Sequence, residues 1–85
     1  MKKKKVDKKY YRSKVLEIRN RIVNDVKYYE AYDLLNETMA DMAKRADTMY
    51  SFNLLMARDY IRTYKYFKAV EYLDYTLADM EKKEK

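Results

Sequence analysis

The clearest structural signal in this chain is the stretch KVLEIRNRIVNDVKYY, residues 14–29. Its apolar side chains recur three and four residues apart, which places them within one sector about 80° wide on a helix. They are Val15, Ile18, Ile22, Val26 and Tyr29. Charged residues such as Glu17 and Arg21 fall on the other sides of the same helix. The pattern predicts a first amphipathic helix over about residues 9–29.

Two further segments carry helical patterns of their own. Over about residues 31–48 the apolar face is rotated relative to the first, which predicts a kink or break near residues 28–33. This second face comprises Tyr32, Leu35, Met39, Met42, Ala43, Ala46, Met49 and Tyr50. A cluster of capping residues over 47–53 precedes a third helix, about residues 52–82. Its apolar face comprises Phe52, Leu55, Met56, Thr63, Phe67, Val70, Leu73 and Leu77. No internal repeat is apparent, and we expect an all-α fold: a small helical bundle or a bent long helical hairpin of two to three helices.

The composition narrows the possible chemistry. The 85 residues include no Gly, Pro, Cys, His or Trp. Gly-rich phosphate loops, disulfides, Cys/His metal sites and the commonest catalytic bases and thiol nucleophiles are therefore excluded. A chain of this size is near the lower limit for a self-sufficient core. We expect a single helical domain over residues 9–82 that forms a homodimer and holds no cofactor.

Basic charge is concentrated at the N-terminus. Residues 1–14 hold eight bases and one acid, whereas the rest of the chain holds twelve bases and thirteen acids. We expect residues 1–8 to form a disordered basic arm and residues 83–85 to form a frayed tail. The arm either binds the phosphates of nucleic acid or only keeps the chain soluble. Its candidate nucleic-acid ligands are Lys2, Lys3, Lys4, Lys5, Lys8 and Lys9.

Hydropathy gives an expectation for localisation. No apolar run approaches the roughly 20 residues that a membrane-spanning helix needs. The basic start is not followed by the apolar stretch of a secretory signal. We expect no membrane span and a cytoplasmic location, which would be the host cytoplasm if a phage encodes the chain.

Tyrosine is unusually frequent, with eleven residues. On the third predicted helix, four apolar residues share a face separate from the predicted core, with two bases beside it. Tyrosine is enriched at protein interfaces because it combines a large apolar body with a polar tip. The sequence predicts either a partner-binding surface here or packing of this face inside the monomer. The residues are Ile61, Tyr64, Tyr72 and Tyr75, with Arg62 and Lys65 beside them.

Charged stripes follow the second and third segments. An acidic stripe comprises Glu30, Asp33, Glu37 and Asp41, and a basic run comprises Arg58, Arg62, Lys65 and Lys68. The residue numbers of opposite members add up to a nearly constant value, which predicts an antiparallel turn near residues 49–50. Because exposed charge runs are usually solvated, we expect both stripes to face outward. The acidic stripe is a second candidate binding surface.

Two pairs of carboxylates have the spacing of one helical turn. They are Glu30 with Asp33, and Glu71 with Asp74. At these four positions the chain resembles the all-α nucleotide pyrophosphatases of the MazG type, in which paired acidic motifs on facing helices hold Mg²⁺. The resemblance implies a magnesium-dependent nucleotide hydrolase with these four residues as metal ligands.

Three functions follow from these patterns. The leading expectation is a non-enzymatic helical protein-binding module, a small regulator, adaptor or inhibitor of the kind that phages and mobile elements encode, docking on a larger protein. The first alternative is an accessory protein that binds nucleic acid through the lysine arm. The second alternative is the pyrophosphatase-like enzyme.

Overall fold

The computed structural model describes residues 8–45 and 49–83, which form four helices joined by short connections. The helices are α1 (Lys8–Val23), α2 (Tyr28–Lys44), α3 (Ser51–Arg62) and α4 (Tyr66–Lys83). Helix α1 packs against α2 and α4, and α3 packs against the same two, so that α2 and α4 lie across a diagonal. The fold is an antiparallel four-helix bundle. The prediction of a small all-α bundle is confirmed, whereas the expected number of two to three helices is wrong.

The core consists of one row of buried residues from each helix, with Tyr50 in the third row standing at the N-cap of α3. In every row the spacing is four, three and four residues, which keeps the row on one face of its helix, as in coiled-coil packing. The rows are Tyr11, Val15, Ile18 and Ile22; Ala31, Leu35, Thr38 and Met42; Tyr50, Leu54, Ala57 and Ile61; and Ala69, Leu73, Thr76 and Met80.

The third predicted apolar face is only partly correct, because Leu73 is fully buried whereas other members of the face are exposed. Phe52 is 68% exposed and Phe67 is 94% exposed, while Ala57 and Ala69 are fully buried. Alanine fills these two core positions, and a small side chain gives only a weak apolar signal in the sequence. The buried Thr38 and Thr76 satisfy their hydroxyls within their own helices, by donating to the carbonyl oxygens four residues earlier.

The first predicted helix ends earlier than expected. Helix α1 stops at Val23, and residues 24–27 connect it to α2, just before the predicted break at 28–33. Val26 has φ of 56°, the left-handed conformation that glycine usually adopts. The amide of Lys27 donates to the carbonyl oxygen of Arg21 at 2.8 Å and closes the end of α1.

The third predicted helix is in fact two helices. Helix α3 ends at Arg62, and Tyr64 adopts φ of 65°. The amide of Tyr64 donates to the carbonyl oxygen of Ile61, and that of Lys65 donates to the carbonyl oxygen of Tyr60 at 2.8 Å. These two bonds are the Schellman pattern that ends a helix. Because tyrosine stands where glycine is usual, the sequence carries no conventional sign of the break.

The bundle is built from two similar helical hairpins, so the expectation of no internal repeat is wrong. We call α1 with α2 the first hairpin and α3 with α4 the second hairpin. Residues 28–44 and 66–82 align without gaps at an offset of 38, with eight of seventeen residues identical. The identical residues, numbered in the first hairpin, are Tyr28, Ala31, Leu35, Thr38, Ala40, Asp41, Met42 and Lys44.

Helices α1 and α3 match at an offset of 39, because the connection in the first hairpin is one residue longer. Cross-hairpin contacts follow the same relation. Arg19 donates to Asp74 at 2.6 Å, and Arg58, its counterpart, donates to Asn36 at 3.2 Å. Asn36 and Asp74 also correspond in the alignment. The two hairpins are therefore related by an approximate twofold axis.

The antiparallel turn lies where it was predicted, since residues 49 and 50 form a turn directly before α3. The predicted basic arm lies outside the described residues except Lys8, at which α1 begins, and the predicted frayed tail lies outside them except Lys83, at which α4 ends. Within the described ranges, no helix is long and apolar enough to cross a membrane.

Candidate functional site

The connections within the two hairpins lie at the same end of the bundle, and large apolar side chains surround them there. Tyr28 and Tyr66, which begin α2 and α4, stack face to face with ring centroids 3.7 Å apart and an interplanar angle of 5°. Tyr64 meets the ring of Tyr66 edge-on at 6.4 Å. We call this region the aromatic end. It comprises Val23, Val26, Tyr28, Tyr29, Tyr64, Tyr66 and Phe67.

The aromatic end exposes most of its apolar surface. Phe67 is 94% exposed, Tyr29 is 87% exposed and Tyr64 is 77% exposed. Val23 and Val26 are about half exposed beside them. Single exposed apolar residues are common on protein surfaces, but a contiguous group of this kind marks an interaction site.

Two clefts flank the stacked tyrosines, which form a shared wall. Cleft A has a volume of about 570 Å³ and cleft B has a volume of about 690 Å³. Cleft A is lined by Val26, Lys27, Tyr28, Tyr29, Glu30, Tyr32, Ile61, Arg62, Tyr64 and Tyr66. Cleft B is lined by Ile22, Val23, Val26, Tyr28, Tyr64, Lys65, Tyr66, Phe67, Lys68 and Val70.

The clefts are images of each other under the approximate twofold relation. Val26 corresponds to Tyr64, Tyr29 to Phe67, and Ile22 to Ile61. Each of the ten residues that line cleft A has a counterpart in the other hairpin, at an offset of 38 or 39 residues, and these ten counterparts line cleft B. The shared wall maps onto itself, because Tyr28 and Tyr66 exchange places. The site is therefore built twice, once from each hairpin.

Two of the exposed side chains belong to residues with a strained backbone. Val26 and Tyr64 both occupy the left-handed region, which costs a residue with a side chain about 1–2 kcal/mol relative to its preferred conformations. Glycine would relieve this strain at either position, yet both hairpins carry a large apolar residue there. Strain of this kind concentrates at functional sites, where the side chain is needed.

The charge of the clefts is mainly positive. Their linings contain four bases and one acid, Glu30, which accepts a hydrogen bond from Arg21 at 2.7 Å. Lys27 and Lys65, which correspond in the two hairpins, form no ion pair with any residue that the structure describes. The other two bases, Arg62 and Lys68, lie 3.9 Å and 3.5 Å from Asp59 and Glu71.

The hydroxyl of Tyr66 at the aromatic end remains protonated at neutral pH. Burial against its neighbours, and then the proximity of Tyr28 and Tyr64, raise the pKa of Tyr66 above its usual value. A protonated phenol can donate a hydrogen bond to an incoming carboxylate or carbonyl group. The surface therefore offers cations and a neutral hydrogen-bond donor around an apolar centre.

The predicted tyrosine face is divided by the break between α3 and α4. Ile61 is buried in the core and lines cleft A, and Tyr64 is exposed at the aromatic end. Tyr72 is half-buried, and Tyr75 is 47% exposed on the side of α4. The prediction of one common face is wrong because it assumed a continuous helix. Arg62 and Lys65 do lie beside Tyr64, since they line clefts A and B.

The acidic stripe lies on the outer side of α2, as expected for solvated charges. Asp33 and Glu37 are exposed, and Glu30 is bonded to Arg21. Asp41 accepts a hydrogen bond from the Tyr11 hydroxyl at 2.8 Å, which, with Arg45 nearby, holds the pKa of Asp41 below its usual range. That bond ties α1 to α2 at the end of the bundle opposite the aromatic end. Two of the four acids, Glu30 and Asp41, are therefore engaged in structural contacts.

The four acids of the proposed magnesium site are not brought together. Glu30 and Asp33 lie on α2, whereas Glu71 and Asp74 lie on α4 across the diagonal of the bundle. Asp74 is paired with Arg19, and Glu71 accepts a hydrogen bond from the Tyr75 hydroxyl, which lowers the pKa of Glu71. In the parts of the chain that the structure describes, no group of three or more acidic residues could hold a metal ion.

The lysines of the predicted nucleic-acid arm fall almost entirely outside the described residues. Lys2, Lys3, Lys4 and Lys5 are not described, and of Lys8 only the backbone is described, at the start of α1. Lys9 is exposed on the first turn of that helix. Lys8 and Lys9 lie at the end of the bundle opposite the aromatic end.

Sequence reasoning missed Val23, Val26, Tyr29 and Phe67 as parts of a surface. A signal for them was present, because VKYYEA at residues 26–31 and YKYFKA at residues 64–69 share one pattern. In each, a large apolar residue is followed by lysine, tyrosine, a second aromatic residue, a charged residue and alanine. The alanine is buried and the second aromatic residue is exposed in both hairpins.

Comparison with known proteins gave no match to any family model, any curated protein or any solved structure. The class that the geometry defines is a small four-helix bundle with a duplicated aromatic surface at one end.

Proposed function

We propose that this chain is a non-enzymatic helical protein-binding module, a small regulator, adaptor or inhibitor that docks its aromatic end on a larger protein. The observation that carries the proposal is the group of exposed aromatic side chains, Tyr29, Tyr64 and Phe67, around two apolar clefts. Aromatic anchors of this kind dominate the binding energy of protein interfaces.

The retained backbone strain supports a function for this surface. A chain selected for stability alone would place glycine at residues 26 and 64, since glycine adopts positive φ without steric cost. A large apolar side chain at both positions widens the exposed apolar surface instead. We therefore expect these two side chains to contribute to binding rather than to the stability of the fold.

Charge supports a partner with acidic groups beside its apolar residues. Lys27 and Lys65 stand without ion-pair partners among the described residues, on either side of the stacked tyrosines. In a symmetric contact between two copies of the chain, the same bases would face one another, which costs affinity. The surface therefore suits an acidic partner better than a second copy.

Nucleic acid is a weaker fit to the same surface. Single-stranded nucleic acid is bound by stacking aromatics together with a basic groove that follows the phosphates. Here Val23, Val26 and Val70 occupy much of the clefts, and aliphatic side chains do not provide stacking platforms. Two lysines without ion-pair partners are also few for a phosphate-tracking groove.

Photo-crosslinking tests the proposal directly. Benzoylphenylalanine is placed at Phe67, or at the control position Phe52, which is 68% exposed on α3 near the opposite end. Irradiation in cells that naturally express the chain is expected to give one discrete larger protein from position 67 and none from position 52. The Tyr29→Ala/Tyr64→Ala variant is expected to lose the product while its circular-dichroism melting curve stays unchanged.

The same experiment can overturn the proposal. Equal crosslinking from both positions would show that the aromatic end has no selective partner. Recovery of nucleic acid would show that the aromatic end binds nucleic acid instead of a protein. Recovery of a crosslinked dimer would show that it binds a second copy of this chain.

A further inference from the structure

We infer that clefts A and B bind two copies of the same acidic, apolar protein segment, so that the partner is itself twofold symmetric or presents that segment twice. This inference rests on the proposed function and adds the symmetry and stoichiometry of the partner.

The equivalence of the clefts is the first support. Each hairpin supplies its own exposed aromatic residue at the mouth of a cleft, Tyr29 for cleft A and Phe67 for cleft B. The floors are matched by Ile61 and Ile22, which are each 5% exposed. Both clefts are bounded by the same wall of Tyr28 and Tyr66, and their volumes are similar, about 570 and 690 Å³. A segment whose apolar side chain fits one cleft therefore fits the other.

The placement of charge is the second support. Lys27 and Lys65 occupy equivalent positions, one beside each cleft, and neither is in an ion pair with a described residue. Each lysine can therefore pair with a carboxylate next to the apolar anchor of its own segment. A ligand confined to one cleft would leave the equivalent lysine and aromatic side chain of the other cleft without a contact.

The remaining differences predict unequal but related affinities. Glu30 in cleft A corresponds to Lys68 in cleft B, and Arg62 in cleft A corresponds to Val23 in cleft B. Cleft B therefore combines two lysines with the more apolar lining. An acidic segment is expected to bind cleft B more tightly than cleft A.

The test begins with selection of binding peptides from a displayed library of random 16-residue sequences, using the intact chain as target. The selected peptides are expected to combine large apolar residues with an excess of Asp and Glu. Isothermal titration calorimetry and native mass spectrometry then measure how many copies of one selected peptide bind each chain. The expected result is two.

Single-cleft variants assign the two sites. Tyr29→Ala and Phe67→Ala are each expected to leave one peptide per chain. Lys27→Glu and Lys65→Glu are each expected to weaken one site about tenfold and leave the other unchanged. Lys44→Glu, at the opposite end of the bundle, makes the same charge change and is expected to leave both sites intact.

The outcomes separate this inference from the proposed function. One peptide per chain that contacts both clefts, or selected peptides without acidic residues, would overturn the inference while the docking surface stands. Selection of no peptide dependent on Tyr29 or Phe67 would overturn both. A labelled dT20 oligonucleotide that binds in their place, or dimerisation of the chain that is lost in Phe67→Ala, would also overturn both.

Discussion

The two hairpins share their internal design but differ at their outer surfaces. Both have the same core spacing, a left-handed residue after the first helix and a tyrosine at the start of the second. Outside these positions they diverge: Glu30 corresponds to Lys68, and Asn36 corresponds to Asp74. The comparison separates the features that both hairpins keep from those that differ between their surfaces.

The aromatic end is one of the features that both hairpins share. The left-handed residue, the lysine, the stacked tyrosine and the exposed aromatic residue occur in both hairpins. The core rows repeat because the bundle needs them for stability. Exposed aromatic residues stabilise the bundle little, so their repetition requires a reason other than folding.

The largest expected effect tests whether the core rows of α2 and α4 are equivalent. Leu35 and Leu73 are fully buried counterparts, so Leu35→Ala and Leu73→Ala should each lower the free energy of unfolding by about 2–5 kcal/mol, and by similar amounts. Urea denaturation followed by circular dichroism measures both. Tyr29→Ala and Phe67→Ala serve as controls and should change it by less than about 0.5 kcal/mol. A large loss in only one leucine variant would show that the hairpins are not equivalent in the core.

An effect of opposite sign is expected at the strained connections. Val26→Gly and Tyr64→Gly relieve the left-handed conformation, and this gain exceeds the greater chain entropy that glycine brings to the unfolded state. The free energy of unfolding should rise by about 0.5–1 kcal/mol, more clearly for Val26→Gly because valine is β-branched. Thermal and urea unfolding measure it.

The control for this prediction is Val23→Gly. Val23 is also about half exposed but ends a helix, so glycine there should lower stability. If Val26→Gly and Tyr64→Gly also lowered it, the two residues would contribute packing that outweighs their strain, and the argument that they are kept for binding would fail.

These connections also explain how much of the fold was predictable. Three of the four core residues of α1, Val15, Ile18 and Ile22, are predictable because they are large and regularly spaced, whereas Tyr11 lies outside the predicted face. The break after α3 was missed because Tyr64 occupies a position that glycine usually marks. Local patterns report side-chain size and spacing, whereas this break is imposed by the packing of α4 against α3.

The candidate site was only partly predictable for a related reason. Tyr64, Arg62 and Lys65 were selected from the sequence, but the aromatic end forms only when two segments 38 residues apart come together. Periodicity within one helix cannot show this. The sequence repeat could have shown that the two segments are equivalent. It is hard to recognise, because most of the identical residues lie on or near the core rows and the offset changes from 39 to 38 within the repeat.

The smallest expected effect concerns the contacts that link the hairpins. Arg19 forms an ion pair with Asp74, while its counterpart Arg58 contacts the neutral Asn36. The exchange Asn36→Asp/Asp74→Asn moves the ion pair from one contact to the other without changing net charge. Since the Arg19 and Asp74 side chains are 32% and 49% exposed, the pair is screened by solvent and contributes at most about 1 kcal/mol.

The single variants sharpen this comparison. Asn36→Asp should raise the free energy of unfolding slightly, and Asp74→Asn should lower it by a similar amount. Both changes should vanish in about 1 M salt, at which the screening length falls to about 3 Å. The exchange itself should leave stability unchanged, because the approximate twofold axis makes the two contacts equivalent. If the exchange destabilised the bundle at all salt concentrations, the two contacts would differ in geometry as well as in charge. The hairpins would then be equivalent in their cores but not in these surface contacts.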